Sequence, residues 1–412
     1  MIAKSSNAGE FHSHALTVPD VGLSIHPAPI DRPQGARPVA SEKTAKASSL
    51  HWVNRLATFL KIIQINVSDL PPNTGKITEG SSGLNNHGGV APVGPHHGLA
   101  RMKTVAIVNP VAGFGRAPHA WPGLLNRLGA RASQVVTWWT KGPGHAEFLA
   151  AQAKRSGFDR VLAVGGDGTI SEVANGLWWE SAGRLPSLGI VSFGTGCDYV
   201  RNFEVGHTPF DHLVHALGES VLSADLVVFQ AMGLHGRPIS RVCLNVIGAG
   251  FDAQVIARYH RQKIPKYGKL PYFLSSIQEL YKHSHFRLQG EIDGEDFEAV
   301  SLMFVVGLGR YFGGRMMIAP WASPQSGRLQ LVWDRQISWL DLIRLFPQIY
   351  LGRHLKHPKV QTRFARKVKL TAEPPVLVEA DGELVGLTPL EVEIYPGAFQ
   401  VAAEKLREIL PT

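Results

Sequence analysis

The chain has 412 residues, 44% apolar and 18% charged, with a formal net charge of +9 and two cysteines. That length allows two or three domains, and that balance describes a globular protein. Cys197 and Cys243 are too few and too isolated for a disulfide framework or a zinc site, and they point to a reducing compartment. No apolar run of about 18 or more residues occurs, which argues against a spanning helix. The opening MIAKSSNAGEFHSH lacks the apolar core of a signal peptide. The excess of base favours an anionic partner, whether nucleic acid, phosphorylated ligand or acidic membrane.

Residues 1–100 are rich in Ser, Gly, Pro, Asn and His and are expected to form an extension without a core of its own. Its histidines have no predicted element to fix metal-ligand geometry. One segment differs. Leu50, Val53, Leu56, Phe59, Leu60 and Ile63 recur at helical spacing, with Trp52 beside the stripe and Arg55 and Lys61 off it. The pattern predicts an amphipathic basic helix that either lies on a membrane or docks on the main body.

From 101 to 222 the predicted elements alternate. KTVAIVNP and SQVVTWWT are strands, GHAEFLAAQAKRSG is a helix, DRVLAVGGDG is a strand entering a glycine turn, and TISEVANGLWW is a helix. SLGIVSFGTG and PFDHLVHALGE repeat strand, turn and helix. Such βα alternation implies a parallel sheet covered by helices. From 223 to 402 strand-like runs dominate: DLVVFQ, SRVCLNVIG, FEAVSLMFVVGL, GRLQLVW, RKVKLTA, PVLVEA and PLEVEIY. Helical inserts are expected around YGKLPYFLSSIQELYKH and SWLDLIRLFPQIYLG. This half is predicted to be a β-sandwich, with the chain end at 403–412 returning to the first domain.

The chemistry is concentrated in three glycine turns that follow strands. In VLAVGGDGT, Gly165, Gly166 and Gly168 let backbone N–H groups approach phosphate oxygens at a helix N-terminus, and Thr169 is a candidate N-cap. Asp167 sits inside that turn and needs a cation between itself and any phosphate. NPVAGFGR supplies Asn109, Pro110, Gly113, Gly115 and Arg116. FGTGCDYVR supplies Gly194, Thr195, Asp198 and Arg201, the last two three residues apart and so on one helical face. Loops at the carboxyl ends of parallel strands meet in one crevice, and these would suit a nucleoside triphosphate with Mg²⁺. GAGFDA fits a loose dinucleotide fingerprint, but no acidic residue closes a following strand. The basic run GRHLKHPKVQTRFARKVKL lacks the aromatics of a nucleic-acid binder and reads as a solvated or membrane-facing surface.

GGDGT followed by SEVANG, with NPVAGFG before and GTGCDYVRNF after, resembles the catalytic domain of the diacylglycerol kinase and sphingosine kinase family, bacterial soluble lipid kinases in particular. LNVIGAGFDAQV, KLPYFLSSIQEL, YFGGRMMIAPWAS and VEADGELVGLTPLEVEIYPGAFQV agree in order and spacing, so the resemblance covers 101 to about 405. It implies an α/β nucleotide domain like that of NAD kinases and phosphofructokinases, then a β-sandwich, with the active site in the cleft between them. The activity implied is ATP- and Mg²⁺-dependent phosphorylation of a lipid hydroxyl, diacylglycerol first, with sphingosine-type or phosphatidylglycerol-type acceptors as alternatives. Asp167 and Asp198 would hold Mg²⁺ through water, Arg201 would extend that network, Asp381 would be the general base, and Glu383 would line the nucleotide side. A cytoplasmic enzyme that meets its acceptor at an anionic membrane surface is expected, without nucleic acid, and a homodimer is left open. An NAD kinase, or a binding protein that lost its chemistry, are the alternatives.

Several positions depart from the family pattern. Cys197 stands for an asparagine, Ser192 for a proline, Phe114 for a lysine, Arg315 for a third glycine and Ser326 for an acid. With Phe114 in the lysine position, Arg116 is expected to take over the phosphate contact. Two Asp-Gly-Glu turns occur, at Asp293 and Asp381. A plain hairpin accounts for the first, and the resemblance assigns the base to the second.

Overall fold

The structure is a computed structural model that describes residues 102–194, 196–261 and 285–408. The predicted helices at 50–63 and around 267–283, and Thr195, lie outside the described residues.

Strands β1 (Thr104–Val108), β2 (Val135–Trp139), β3 (Arg160–Gly165) and β4 (Ser187–Ser192) pair in parallel in the order β4-β3-β1-β2. β1 and β3 are buried along their whole length, as strands covered on both faces must be. The helices between and after them are α1 (Ala117–Arg127), α2 (His145–Arg155), α3 (Asp167–Trp179) and α4 (Pro209–Ala216). Ile170, Val173 and Leu177 of α3 pack with Ile107 and Val161 on one face. Trp121 and Leu213 pack with Ala106, Leu162 and Val164 on the other. α4 starts where Thr208 and Asp211 form a reciprocal capping box.

The second half opens with β5 (Leu222–Gly233), β6 (Pro238–Cys243), β7 (Val246–Gly250) and α5 (Phe251–Arg261). It continues through β8 (Phe286–Ile292), β9 (Glu295–Ser301), β10 (Met303–Gly307), β11 (Leu329–Asp334), α6 (Trp339–Ile349), β12 (Val360–Ala365), β13 (Lys367–Glu373), β14 (Leu377–Ala380) and β15 (Glu383–Val401). Alternation sets the inner face: Leu390, Val392 and Ile394 of β15 pack with Leu288 and Ile292 of β8, while Glu391 and Glu393 point outward. β15 pairs with β14, β5 and β13, and Val401 then joins β4 in parallel. One strand therefore ties the β-rich half to the parallel sheet. Beyond it, Ala402 N donates to Leu188 O and Arg407 N to Asn202 O, so the chain end lies against the first half.

The structure corrects the sequence reading at two places. SRVCLNVIG and FEAVSLMFVVGL are each two strands rather than one. The breaks fall where a remote carboxylate takes the backbone N–H groups that a ladder would use. Asp381 accepts from Leu244, Asn245 and Val246, and Asp334 accepts from Leu302 and Met303. GAGFDA does run from strand to helix, but its glycines serve packing. A methyl on Gly250 would lie 2.5 Å from the Phe286 ring, and one on Gly248 would overlap the Asp252 carboxylate. Part of the basic run forms β12, a strand that pairs with β11 and ends the main sheet path.

Candidate active site

The three glycine turns are packed backbone on backbone. β3 ends at Gly165, where an added methyl would sit 2.3 Å from Thr169 Oγ1. Thr169 Oγ1 in turn accepts from Asn109 Nδ2 at 3.0 Å, which ties the turn after β3 to the turn after β1. Thr169 is buried in the first turn of α3, and the N-cap is Gly166, so the expected N-cap role falls one turn earlier. Gly194, after β4, approaches so closely that a methyl there would lie 2.9 Å from Gly166 Cα. Pro110, Gly113 and Gly115 share the first turn, and Gly113 adopts a φ of 61° with its open side against Phe193 O. The turns thus meet at the carboxyl ends of β1, β3 and β4, as predicted. Gly165→Ala is expected to force Thr169 aside, break its bond from Asn109 and lower thermal stability by roughly 1–3 kcal/mol, with loss of nucleotide binding; calorimetry and ATP titration check both. An unchanged melting temperature would contradict the packing.

Two acids converge on Gly196. A methyl on it would lie 2.9 Å from Asp167 Oδ2 and 3.4 Å from Asp198 Oδ2. Asp167 Oδ1 accepts from Tyr199 N at 3.2 Å. Burial, and then the Asp198 charge, push the Asp167 carboxyl up to about 6. Asp198 is held from across the cleft, accepting from Gly314 N at 2.8 Å and Arg315 N at 3.0 Å. Arg201 lies 3.7 Å from Asp198 Oδ1 and donates through Nε and Nη2 to Gly196 O. Burial pulls the Arg201 guanidinium down, and the neighbouring positive charge of Arg315 adds to that.

Arg315 is a site residue that sequence reasoning passed over, noting it only as a departure. Its φ of 88° is a conformation that favours glycine, so its backbone is strained. The visible signal was an arginine in a glycine run.

The two Asp-Gly turns have nearly the same backbone. Asp293 and Gly294 have φ of 53° and 82°, and Asp381 and Gly382 have 52° and 86°, as a tight hairpin requires. Their surroundings differ. Asp293 is exposed and accepts from Arg366 N and Lys367 N at 2.9 and 2.8 Å, so it is more than a turn residue: it anchors the start of β13. Asp381 is half-buried in a four-donor nest. Its Oδ1 accepts from Cys243 Sγ, Asn245 N and Val246 N, and Oδ2 from Leu244 N at 3.1 Å. Burial raises its pKa, and the four donors oppose that rise. Behind the turn, Glu379, only 1% exposed, accepts from Gly382 N at 2.9 Å. Burial and then the charge of Asp252 push Glu379 well up. Neither Cys243 nor the Asp252–Glu379 pair was legible as part of this nest.

Glu383 brings the halves of the site together. A methyl on Gly168, in the first turn of α3, would lie 3.1 Å from Glu383 Oε1. The second Asp-Gly-Glu turn therefore abuts the helix end that carries the GGDGT glycines.

The departures are absorbed locally. Ser192 Oγ donates to Cys197 Sγ at 2.7 Å, and Cys197 Sγ donates to Gly194 O at 2.8 Å, so two departures satisfy one another. Arg116 is exposed and spends its Nε on Gly113 O at 2.8 Å. Ser326 Oγ lies within hydrogen-bond distance of Ser323 O and Arg328 O, with one proton to share between them. The nearby Asp225 is occupied by Gly327 N and Gly397 N.

Among the described residues no cluster of three or more His, Cys, Asp or Glu is placed to ligate a metal. Asp167 and Asp198, facing each other around Gly196, fit a cation that keeps most of its own water, which is the habit of Mg²⁺.

A parallel α/β sheet with phosphate-type turns, continued by one strand into a β-sandwich, is the architecture of a phosphotransferase with an NAD kinase-like β-domain. Family comparison agrees: the diacylglycerol kinase catalytic domain matches residues 103–229, and the YegS C-terminal NAD kinase beta sandwich-like domain matches 245–403. A Mycobacterium tuberculosis diacylglycerol kinase is 31% identical over 304 residues, 73% of this chain and 94% of the relative. A Bacillus subtilis diacylglycerol kinase is 26% identical, over 71% of this chain and 94% of the relative. The crystal structure of a diacylglycerol kinase from Bacillus anthracis str. Sterne shares the fold, with TM-score 0.57 and 22% identity over 74% of this chain and 98% of that one. The chain belongs to the diacylglycerol kinase family and is a lipid kinase.

Proposed function

We propose that this enzyme transfers the γ-phosphoryl group of ATP to the hydroxyl of diacylglycerol, giving phosphatidic acid. The observation that supports this reading is the approach of Glu383 to Gly168, which brings the turn carrying Asp381 against the helix end with the GGDGT glycines. Phosphoryl transfer asks little covalent chemistry of a protein, and needs positioning, neutralisation of the phosphoryl oxygens and a proton acceptor. The N–H groups at the start of α3, together with Gly194 and Gly113, cradle phosphate. Arg201 and Arg315 supply fixed positive charge at the mouth. Asp167 and Asp198 would hold Mg²⁺, which would supply positive charge against the phosphates. Asp381 takes the acceptor proton on Oδ2, whose one donor among the described residues, Leu244 N, leaves lone-pair capacity.

An acceptor panel of diacylglycerol, sphingosine, phosphatidylglycerol and NAD, read by ADP release, tests the choice of substrate. Diacylglycerol turnover is expected to dominate. Turnover of NAD alone would contradict the reading.

The pH dependence follows from the base. A carboxylate whose folded pKa is raised is protonated, and so inactive, at a higher pH than an ordinary aspartate. The acid limb of kcat/KM is therefore expected above the ordinary value of about 3.9, with full activity on its alkaline side. A limb at or below that value would contradict a burial-tuned Asp381.

A further inference from the structure

We infer that the outward face of α6, with the Trp321 loop and the segment just after the helix, docks this enzyme on an anionic phospholipid bilayer. The inference rests on the lipid kinase reading and deepens it, by naming the surface that meets the membrane.

α6 is capped by Ser338 and Asp341 and turns Leu342, Leu345 and Ile349 into the core. Among the described residues, its opposite side carries exposed side chains. Leu340 is 44% exposed, with exposed Arg344 four positions on along the same face, and Leu351, in the turn just past the helix, is 52% exposed. Tyr350 and Trp321 add 38% and 57% exposure beside them. The Trp321 loop adjoins the helix end, because a methyl on Gly352 would lie 3.0 Å from Pro320 Cβ. Leucine, tryptophan and tyrosine around a long basic side chain is the composition of an interfacial surface, where arginine reaches to headgroups over a shallowly buried apolar patch.

Charge chooses the occupant. Residues 342–372 carry eight Lys and Arg and no Asp or Glu. Lys359 is committed to Asp341, and Arg363 to Glu295. Arg344, Arg353 and Lys356 are exposed and form no ion pair among the described residues. A second copy of this chain would bring the same positive face to itself, which Coulomb repulsion opposes. An anionic bilayer supplies both complements at once, acidic headgroups and an apolar boundary.

The face is continuous with the cleft. Met317 N donates to Ile349 O at 3.0 Å, and Gly314 and Arg315, just before it, hold Asp198. Burial first, and then the charge of nearby Asp198, push the Tyr350 hydroxyl up. A membrane seated on α6 would therefore lie beside the acidic centre, and the acceptor hydroxyl could reach it without leaving the lipid layer.

The test is flotation of the full chain, without ATP, with vesicles of phosphatidylglycerol and phosphatidylcholine and with phosphatidylcholine alone. Two variants are compared with wild type: Arg344→Gln/Arg353→Gln/Lys356→Gln and Trp321→Ser/Leu351→Ser. Wild type is expected to float with anionic vesicles and to be released by salt, and each variant to bind about tenfold more weakly or worse. Both variants should keep turnover of short-chain diacylglycerol in detergent within about twofold while losing turnover in vesicles. Binding needs no chemistry, so a protein that floats as expected but phosphorylates nothing would leave the surface standing and remove the kinase reading. Unchanged flotation of both variants would overturn the surface, as would a wild-type dimer in equilibrium sedimentation that the variants lose.

Discussion

Asp381→Asn is expected to lower kcat by about a hundredfold to ten-thousandfold, the range associated with loss of a general base, while Asp293→Asn stays within a few-fold of wild type. The comparison is well controlled by the structure. Both aspartates occupy the same turn backbone, and both accept backbone N–H groups through one carboxylate. At Asp381 an asparagine keeps its acceptor on Oδ1 but turns an amide donor toward Leu244 N, which costs roughly 1–2 kcal/mol of stability, whereas at Asp293 both donors sit on Oδ1 and asparagine keeps them. The melting temperature should therefore fall modestly in Asp381→Asn and barely in Asp293→Asn, while turnover separates by far more than that stability difference accounts for. Turnover that tracked stability in both would assign Asp381 a purely structural role. Equal and near-normal turnover in both would remove it from the chemistry.

The second large effect is expected at Asp198. It is a buried acceptor for two N–H groups from the 313–315 loop and the ion-pair partner of Arg201. Asp198→Ala leaves those N–H groups without their acceptor and removes the acid that the half-buried Arg201 guanidinium pairs with. A stability loss of about 2–4 kcal/mol follows, with kcat/KM down by at least about a hundredfold. The separating variant is Arg315→Gly. It keeps the N–H that bonds Asp198, relieves a φ of 88° and removes only the side-chain charge. It is expected to be as stable as wild type or slightly more so, with a raised KM for ATP. Denaturant titration alongside ATP saturation reads both. A KM unchanged by Arg315→Gly would take that side chain out of the phosphate field.

Much of the parallel sheet was legible, because each strand there is a short apolar run followed by a helix of distinct period. The β-rich half was legible in kind and less so in detail. The run from Ser240 to Gly248 looks continuous because nothing local interrupts it. The break at Leu244 and Asn245 comes from a carboxylate 137 and 136 positions away. The same holds at Leu302, where Asp334 reaches back from 32 positions on. Side-chain caps of that reach leave no local pattern.

The site divides along the same line. Gly165, Asp167 and Gly194 stood out as glycines around an acid at strand ends, and the close approach of Gly165 to Thr169 and of Gly194 to Gly166 is what packs the turns together. Asp381 and Asp293 could not be separated by local sequence, and their shared φ values show why. Only the surroundings distinguish them: a buried nest of Cys243 and three N–H groups in one case, an exposed strand end in the other. Cys197 and Ser192 looked like two independent losses, yet they bond to each other. Arg315 looked like a missing glycine, and its guanidinium is an added charge beside Arg201.

The most direct measurement is incubation of the full chain with diacylglycerol vesicles and ATP labelled at either the γ or the α phosphorus, followed by organic extraction. Label from the γ position, and none from the α position, is expected to move into the extract with phosphatidic acid. Absence of extractable label from both, or γ label found only in water-soluble products, would contradict a lipid kinase that uses ATP.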